Sequence, residues 1–435
     1  MKYYWMKLNV ISPLAIRSDH APGGSETAKV ISGSTLLGAL ASTHRLLCNK
    51  QTDEFESLFL TDNIHYPNLY PANFKDQDVE NSDNWPVYPV PRTAQTCKRF
   101  PGFSYIFPRE RKVEPGDRHG VRDSLFDWVL FEMGSGGMGN RNANISSLGI
   151  LRAYKECESA IPEASGQLCR SAMDVFNGYY RREPYEDGHM ISASSEKTRL
   201  QTHTGISREW GIVEESILYS REVLEEGAFF WGLAKVPDEL AEMFEKYIEN
   251  VGLKELVRIG TGRTRGLGKV TLGIGEIEDE TERLESFEQR LKNFNDAFHV
   301  EAEKHKVAVP KSFYFALTLH SPAILQDKCL RYRGSIDPIA LAELTGLPSD
   351  PFTLVYQSAG MRRVTGWNEL WGTPKTNEYA IETGSVFFFS SDQPLDKPLL
   401  EALFRLEEGI GRRRAEGLGC VSISDPFHVM KGELQ

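Results

Sequence analysis

Apolar and polar positions alternate over Tyr4 to Ile11, with Lys7 and Asn9 on the face opposite Met6, Leu8 and Val10. Period two over this length predicts a half-buried strand, and Ser12-Pro13-Leu14 ends it. The same device returns at Phe313 to Leu319, an apolar run closed by His320-Ser321-Pro322. Two further strands are predicted where a turn feeds aromatic residues, in EEGAFFWGLAKV (Glu225 to Val236) and IETGSVFFFSS (Ile381 to Ser391). After each, the period lengthens to that of a helix. Pro237 to Glu249 places Leu240, Met243, Phe244 and Ile248 on one face, and Asp396 to Glu408 does the same with Leu399, Leu400, Leu403, Phe404 and Leu406. An earlier helix is predicted in ISGSTLLGALASTHRLL, capped by Ser32 or Ser34 and burying Leu36, Leu37, Leu40 and Leu47. Its counterpart in the second half is the short stretch Asp337 to Leu344.

Both late helices lead to a loop rich in glycine and arginine and then to a closing strand, directly in the second half and through Glu255 to Ile259 in the first. The loops read GTGRTRGLGKVTL (Gly260 to Leu272) and GIGRRRAEGLGCVSI (Gly409 to Ile423). Aligned on their leading glycines, the second copy carries two extra residues before the shared Gly-Leu-Gly. The order strand, helix, strand, strand, helix, glycine loop, strand is that of a ferredoxin-like, RRM-like βαββαβ module. The expected fold class is therefore α+β, with two such modules: an N-terminal one over 1–275, a helical linker over 276–310 and a C-terminal one over 311–435. The first is expected to carry a large insertion, about 50–197, with Pro- and aromatic-rich segments, a GSGGMGNRNAN tract and a lone amphipathic stretch from Asp123 to Met133.

Composition narrows the class. The chain has 435 residues, 40% hydrophobic and 26% charged, which suits a soluble protein of two or three domains. No run approaches the roughly 20 apolar residues of a membrane span, and MKYYWMKLNVISPL reads as a first strand instead of a signal peptide, so no membrane partner is expected. Six cysteines lie without a CxxC pair, which predicts neither a disulfide framework nor a closed zinc site and suits a reducing cytoplasm. Cys157, Cys169 and His189 lie in the insertion at a spacing that matches no standard metal lobe, and no metal or cofactor is expected.

The net charge of −11 opposes general affinity for nucleic acid. Local concentrations matter more: Arg258, Arg263, Arg265 and Lys269, then Arg405, Arg412, Arg413 and Arg414. Glycine lets backbone amides approach a polyanion while arginine supplies charge, so the paired loops predict a chain of phosphates. A nucleotide P-loop is excluded because Val270 follows Lys269 where a Ser or Thr is needed, and the second loop has Cys420 in place of the lysine. A dinucleotide fingerprint is excluded because both loops follow a helix and open a strand. No RNP1 octapeptide occurs, and Phe229, Phe230, Trp231 and Phe387 to Phe389 are expected in the core. The acidic stretches Glu239 to Glu249 and Glu276 to Glu285 read as solvated faces open to partner subunits.

The duplicated loop before a closing strand, the early Ser12-Pro13-Leu14 and ISGSTLLGALA (Ile31 to Ala41) resemble the RAMP superfamily of CRISPR-associated proteins, built from ferredoxin-like RNA-binding modules. THTGISREWGIVEESILYSREVLEEGAFFWG, Thr202 to Gly232, is similar to the signature of the type III-D effector subunit of the Csx-ten family, a double RAMP of the Cas-five group. The resemblance covers both ends of the chain and residues 202–275, and in the insertion chiefly RHGVRD, Arg118 to Asp123. It implies a noncatalytic scaffold of a type III ribonucleoprotein in antiviral defence. Such a subunit binds the repeat-derived 5′ handle of the CRISPR guide RNA across the cleft between modules. Its implied partners are the large polymerase-like subunit and the RAMP backbone subunits, with target RNA a further candidate.

By that resemblance Arg263, Arg265, Arg412, Arg413 and Arg414 contact handle phosphates, and Ser32, Ser34 and Thr35 add the positive end of a helix. His203 and Arg208 are candidates for base or sugar contact, and Arg17, Lys29, Arg258 and Lys269 complete the implied RNA-binding set. Two other classes remain open. Backbone RAMP subunits cleave target RNA with an acid in the loop before the first helix, and here RSDHAPGGSETAK offers Asp19 and Glu26 beside His20. Processing nucleases use a histidine, for which His44 and His203 are candidates with no lysine or tyrosine fixed by spacing. The last class is a protein-only adaptor whose loops are structural.

Overall fold

The computed structural model describes residues 1–17, 26–47, 53–72, 86–103, 118–135, 156–159, 167–185, 188–194, 197–206, 213–277, 280–368 and 372–429. The elements that position the site begin with β1 (Lys2–Val10), α1 (Gly33–Leu47), α2 (Asp53–Phe59) and β2 (Tyr70–Pro71). There follow β3 (Ala94–Cys97), β4 (Val121–Asp123), α3 (Leu125–Ser135) and β5 (Met173–Val175), then β6 (Thr198–Ile206) and β7 (Val213–Leu224). Next come β8 (Phe229–Val236), α4 (Asp238–Leu253), β9 (Val270–Glu276) and α5 (Glu280–Lys304). The chain closes with β10 (Phe313–Leu319), α6 (Pro338–Thr345), β11 (Phe352–Ser358), β12 (Val386–Ser391), α7 (Lys397–Leu406) and β13 (Val421–Ile423).

Met1–Val87, Ser194–Ile277 and Ala415–Gly417 form one compact unit. Its four-stranded sheet has the order β9-β1-β8-β2, with Leu8 opposite Phe230 on one side and Leu272 on the other. This is the βαββαβ order, with the first and third strands central. Tyr4, Met6, Leu8 and Val10 share a face with Phe230 and Ala234, and α1 and α4 cover it with Leu36, Leu40, Phe244 and Ile248. Ser32 caps α1, its Oγ 3.3 Å from the Thr35 amide. Leu47, expected in the buried stripe, is exposed because it is the last residue of the helix; Ala39, Thr43 and His44 face inward. The strands β6 and β7 pair as a separate two-stranded ribbon, Tyr219 opposite His203.

Tyr88–Ala193, Glu278–Arg414 and Leu418–Gln435 form the other unit. Its sheet, β11-β12-β10-β13, repeats the same order. Every residue of β10 is buried, since both sheet faces are covered. Phe315, Leu317 and Phe389 meet Leu341 of α6 and Leu403 of α7, while Tyr314, Ala316 and Phe388 meet Leu125 and Val129 of α3 and Phe294 and Phe298 of α5. Asp337 and Asp396 cap α6 and α7 by accepting the Ala340 and Leu399 amides at 2.7 and 2.9 Å. The stretch around α3, expected to stand alone in an insertion of the first module, and α5, expected as a linker, thus cover the second sheet. The chain is two ferredoxin-like modules of α+β class, and the division by packing departs from the division by sequence order because a sheet with two apolar faces needs two covers. Phe230, Trp231, Phe387, Phe388 and Phe389 are core residues, and Phe229 is half-buried.

Each glycine loop rests on the Ser-Pro turn that ends the first strand of its module. The Gly268 amide donates to the Pro13 carbonyl at 2.9 Å and the Gly419 amide to the Pro322 carbonyl at 2.8 Å. The next amide bonds the serine hydroxyl, Lys269 to Ser12 and Cys420 to Ser321, both at 2.8 Å. Ile259 and Ile410 donate to the Gly268 and Gly419 carbonyls, both at 2.9 Å. These bonds pair the loops without a gap, which corrects the expected two-residue excess: Gly409 lies before the loop, and the residue matched to Gly260 is Gly411. Gly268 and Gly419 have φ of 84° and 74°, and a Cβ on either would strike the Ile259 or Ile410 carbonyl. Gly266 has φ of 81° with open space around it. We expect Gly266→Ala to cost about 1 kcal/mol of backbone strain and Gly268→Ala or Gly419→Ala about 2 kcal/mol or more, read from urea unfolding midpoints.

Candidate nucleic-acid interface

The pairing fixes which side chains are equivalent. Arg263 matches Arg414, each opening a short 3₁₀ turn, and Gly262 matches Arg413. Both of the latter have left-handed backbone, φ 76° and 58°. Arg265 matches Glu416, so the two loops carry opposite charge at the end of the turn.

In the first loop Arg263 and Arg265 are exposed, and neither makes an ion pair among the described residues. The Arg263 Nε–H donates to the Gly260 carbonyl at 3.0 Å, and an Arg265 Nη1–H donates to the Tyr219 hydroxyl at 2.7 Å. Tyr219 lies on β7, and its ring stacks on His203 of β6 with centroids 5.2 Å apart and planes at 23°. Residues of one parity on β7 face the loop: Val223 packs with Leu267 and Ala15, and the Arg221 guanidinium lies over Gly262. The ribbon therefore sets Arg221 and a stacked His-Tyr pair beside the loop's own Arg263 and Arg265. Sequence reasoning named His203 but missed Tyr219 and Arg221. The available signal was the parity they share with Val223 in the Thr202–Gly232 stretch.

The second loop spends its charge internally. Glu378 is buried, and its carboxylate meets Arg412 Nη1 at 3.3 Å and Arg413 Nη1 at 3.2 Å. A buried carboxylate demands such partners, so these arginines, both expected on phosphates, are tied to the fold. Arg414 makes no ion pair among the described residues and is the counterpart of Arg263.

The remaining expected contacts divide. Arg258 braces its own turn, Nη1–H donating to the Glu255 and Val257 carbonyls at 2.8 and 3.0 Å. Lys269 pairs with Glu255 at 2.5 Å, and its ammonium holds that carboxyl below the usual range. At the start of α1 the Ser32 hydroxyl bonds those of Ser34 and Thr35 at 3.0 and 2.8 Å, and the Gly33 amide is taken by Asn68 Oδ1 at 2.8 Å. That helix end is largely satisfied from within. Arg17 and Lys29 are exposed. Arg208, Asp19 and His20 lie outside the described residues, whereas Glu26 is exposed. His44 is buried among Phe55, Phe59 and Tyr247, with ring centroids 5.4 to 5.7 Å away, and its Nε2 lies 3.5 Å from Glu54 Oε1. Of the cysteines and histidine considered for metal, Cys157 and Cys169 come together, but with Cys97 and His119. Among the described residues no helix is long and apolar enough to cross a membrane.

No curated protein matches the chain. Among solved structures it is similar to a chain of the type III-B Cmr-beta complex bound to cognate target RNA, with 12% identity, TM-score 0.35 and coverage of 88% of this chain and 86% of that one. A second chain, from Cmr-beta bound to cognate target RNA and AMPPnP, gives 11%, 0.34, 94% and 90%. Oligomeric Cmr4 from Pyrococcus furiosus gives 14%, 0.27, 64% and 100%. The RAMP superfamily model matches residues 7–271, from β1 through the first glycine loop and into β9. With more than half of its length matched and the glycine loop seated in the same way in both modules, the chain belongs to the RAMP superfamily.

Proposed function

We propose that this chain is an RNA-binding scaffold subunit of a type III CRISPR effector, and that it holds the single-stranded, repeat-derived 5′ handle of a guide RNA on the first glycine loop and the β6–β7 ribbon. The observation that carries this reading is the group of three arginines, Arg221, Arg263 and Arg265, without carboxylate partners among the described residues and beside the stacked His203-Tyr219 pair. Single-stranded RNA is bound by cationic surfaces that track phosphates combined with rings that stack on bases. The Thr202–Gly232 stretch, whose resemblance suggests the type III-D subunit, supplies much of this ribbon and continues into β8. Contacts with a polymerase-like subunit and with backbone RAMP subunits are part of the same proposal and rest on the resemblance.

Binding of a 5′-handle RNA oligonucleotide, followed against salt concentration, tests the surface. Arg263→Ala with Arg265→Ala should flatten the slope of log K against log salt by about 1.4, roughly 0.7 for each phosphate of the single strand that is no longer neutralised. An unchanged slope would remove the first loop from the interface. Tyr219→Ala should weaken binding by about 1–3 kcal/mol while Tyr219→Phe keeps most of the affinity, since stacking needs the ring and not the hydroxyl. Equal loss in both variants would mean that the Arg265–Tyr219 bond, and not stacking, is what matters.

The noncatalytic part of the proposal has its own test. Asp19→Ala and Glu26→Ala should leave handle affinity and target-RNA cleavage by the assembled complex unchanged. Abolished cleavage with intact binding would make the chain the cleaving subunit.

A further inference from the structure

Four side chains from separate stretches of the chain converge at one end of the short sheet β4-β3-β5, within the second compact unit. Cys97 is the last residue of β3, and His119 stands just before β4. Cys157 and Cys169 belong to two strands of chain held side by side, the Cys157 amide donating to the Ser171 carbonyl at 2.7 Å and the Cys169 amide to the Ser159 carbonyl at 2.9 Å. Their donor atoms all lie within 4.8 Å of one another. Cys97, Cys157 and His119 are buried, and Cys169 is half-buried.

The distances discriminate between chemistries. Cys97 Sγ and Cys169 Sγ are 3.8 Å apart, far beyond the roughly 2.05 Å of a disulfide. Two thiolates on one tetrahedral zinc, each at about 2.3 Å, stand roughly 3.8 Å from each other. His119 Nδ1 is 3.1 Å from Cys157 Sγ, which aims the imidazole at the same point. The Phe100 amide points at Cys97 Sγ from 3.4 Å.

We propose that Cys97, His119, Cys157 and Cys169 form a structural zinc site. Three thiolates and one imidazole fill a tetrahedral shell and leave no open position, so the ion holds structure and does no chemistry. The need for it is visible in the sheet it closes, whose strands have three, four and three residues. Strands this short seldom persist on packing alone, and here a small core of Val90, Ala94, Phe103, Val121, Tyr180 and Phe427 supports them. A metal clip joining segments far apart in sequence removes chain entropy from the unfolded state.

Full-length chain produced in zinc-supplemented medium and purified without chelator should carry about one zinc per chain by mass spectrometry of the metal. Cys157→Ser and Cys169→Ser should each reduce that content about tenfold or more, while His119→Cys, which preserves a closed four-ligand set, should retain it. Because the serine variants risk misfolding, the wild-type chain stripped of metal and titrated with cobalt(II) gives an independent reading. Visible absorption of a tetrahedral cobalt site together with thiolate charge transfer supports the assignment. Metal-free wild-type protein that develops neither band, or a Cys97–Cys169 disulfide found by non-reducing peptide mapping, overturns it.

Discussion

In each module the carbonyl of a proline, at the end of the first strand, accepts the amide of the last glycine in the loop. Everything nearby depends on this bond and on the serine hydroxyl that takes the next amide. They bring the loop down onto the turn, while the pairing of Ile259 with Gly268 and of Ile410 with Gly419 across the base of the loop puts the isoleucine carbonyl in the space a Cβ would need. Backbone bonds and glycines therefore fix the course of the loop, and few of its side chains are required to hold it. The residues between, from Gly262 to Arg265 and from Arg413 to Glu416, vary in charge over the same backbone path. One geometry thus supports two electrostatic outcomes: a first loop whose exposed arginines make no ion pair among the described residues, and a second that binds two of its own to Glu378.

That asymmetry also reconciles the acidic composition with the RNA-binding surface proposed for the first loop. A net charge of −11 sets the far field of the molecule, but within a Debye length of about 8 Å at physiological salt the local guanidinium groups dominate. Arginines already paired with a buried carboxylate have little left to offer a phosphate, because moving them strands the charge they neutralise. Among the described residues Arg412 and Arg413 make ion pairs with Glu378 while Arg263 and Arg265 make none, which is why the proposal rests on the first loop.

Much of the fold was legible in the residues. Alternation in β1, helical stripes in α4 and α7, and the helix starts at Asp337 and Asp396, each with a proline in the first turn, all act through local geometry, and sequence carries local geometry directly. What packs against what was not legible. The periodicity from Asp123 to Met133 declared a buried face without saying which sheet it covers, and that sheet turned out to be the second one. The loop alignment failed for a related reason: Gly409 looks like Gly260, yet hydrogen bonding makes Gly411 its equivalent, and only the register of Gly419 against Pro322 reveals it. For the site, the glycines and Arg263 and Arg265 could be read directly. Tyr219 and Arg221 required the pairing of two strands.

The cysteines show the same limit most sharply. Motif reading looks for ligands paired on a single turn, since CxxC places both thiols on one metal with no help from tertiary structure. Here the sheet β4-β3-β5 does that work, bringing Cys97 and His119 to the same end of adjacent strands while the antiparallel pairing around Cys157 and Ser171 delivers the other thiols. A site assembled in this way forms only when the sheet forms, and the sheet is short enough to gain from the site. Each is then a condition for the other, so ligand spacing along the chain is free to follow the lengths of the intervening segments.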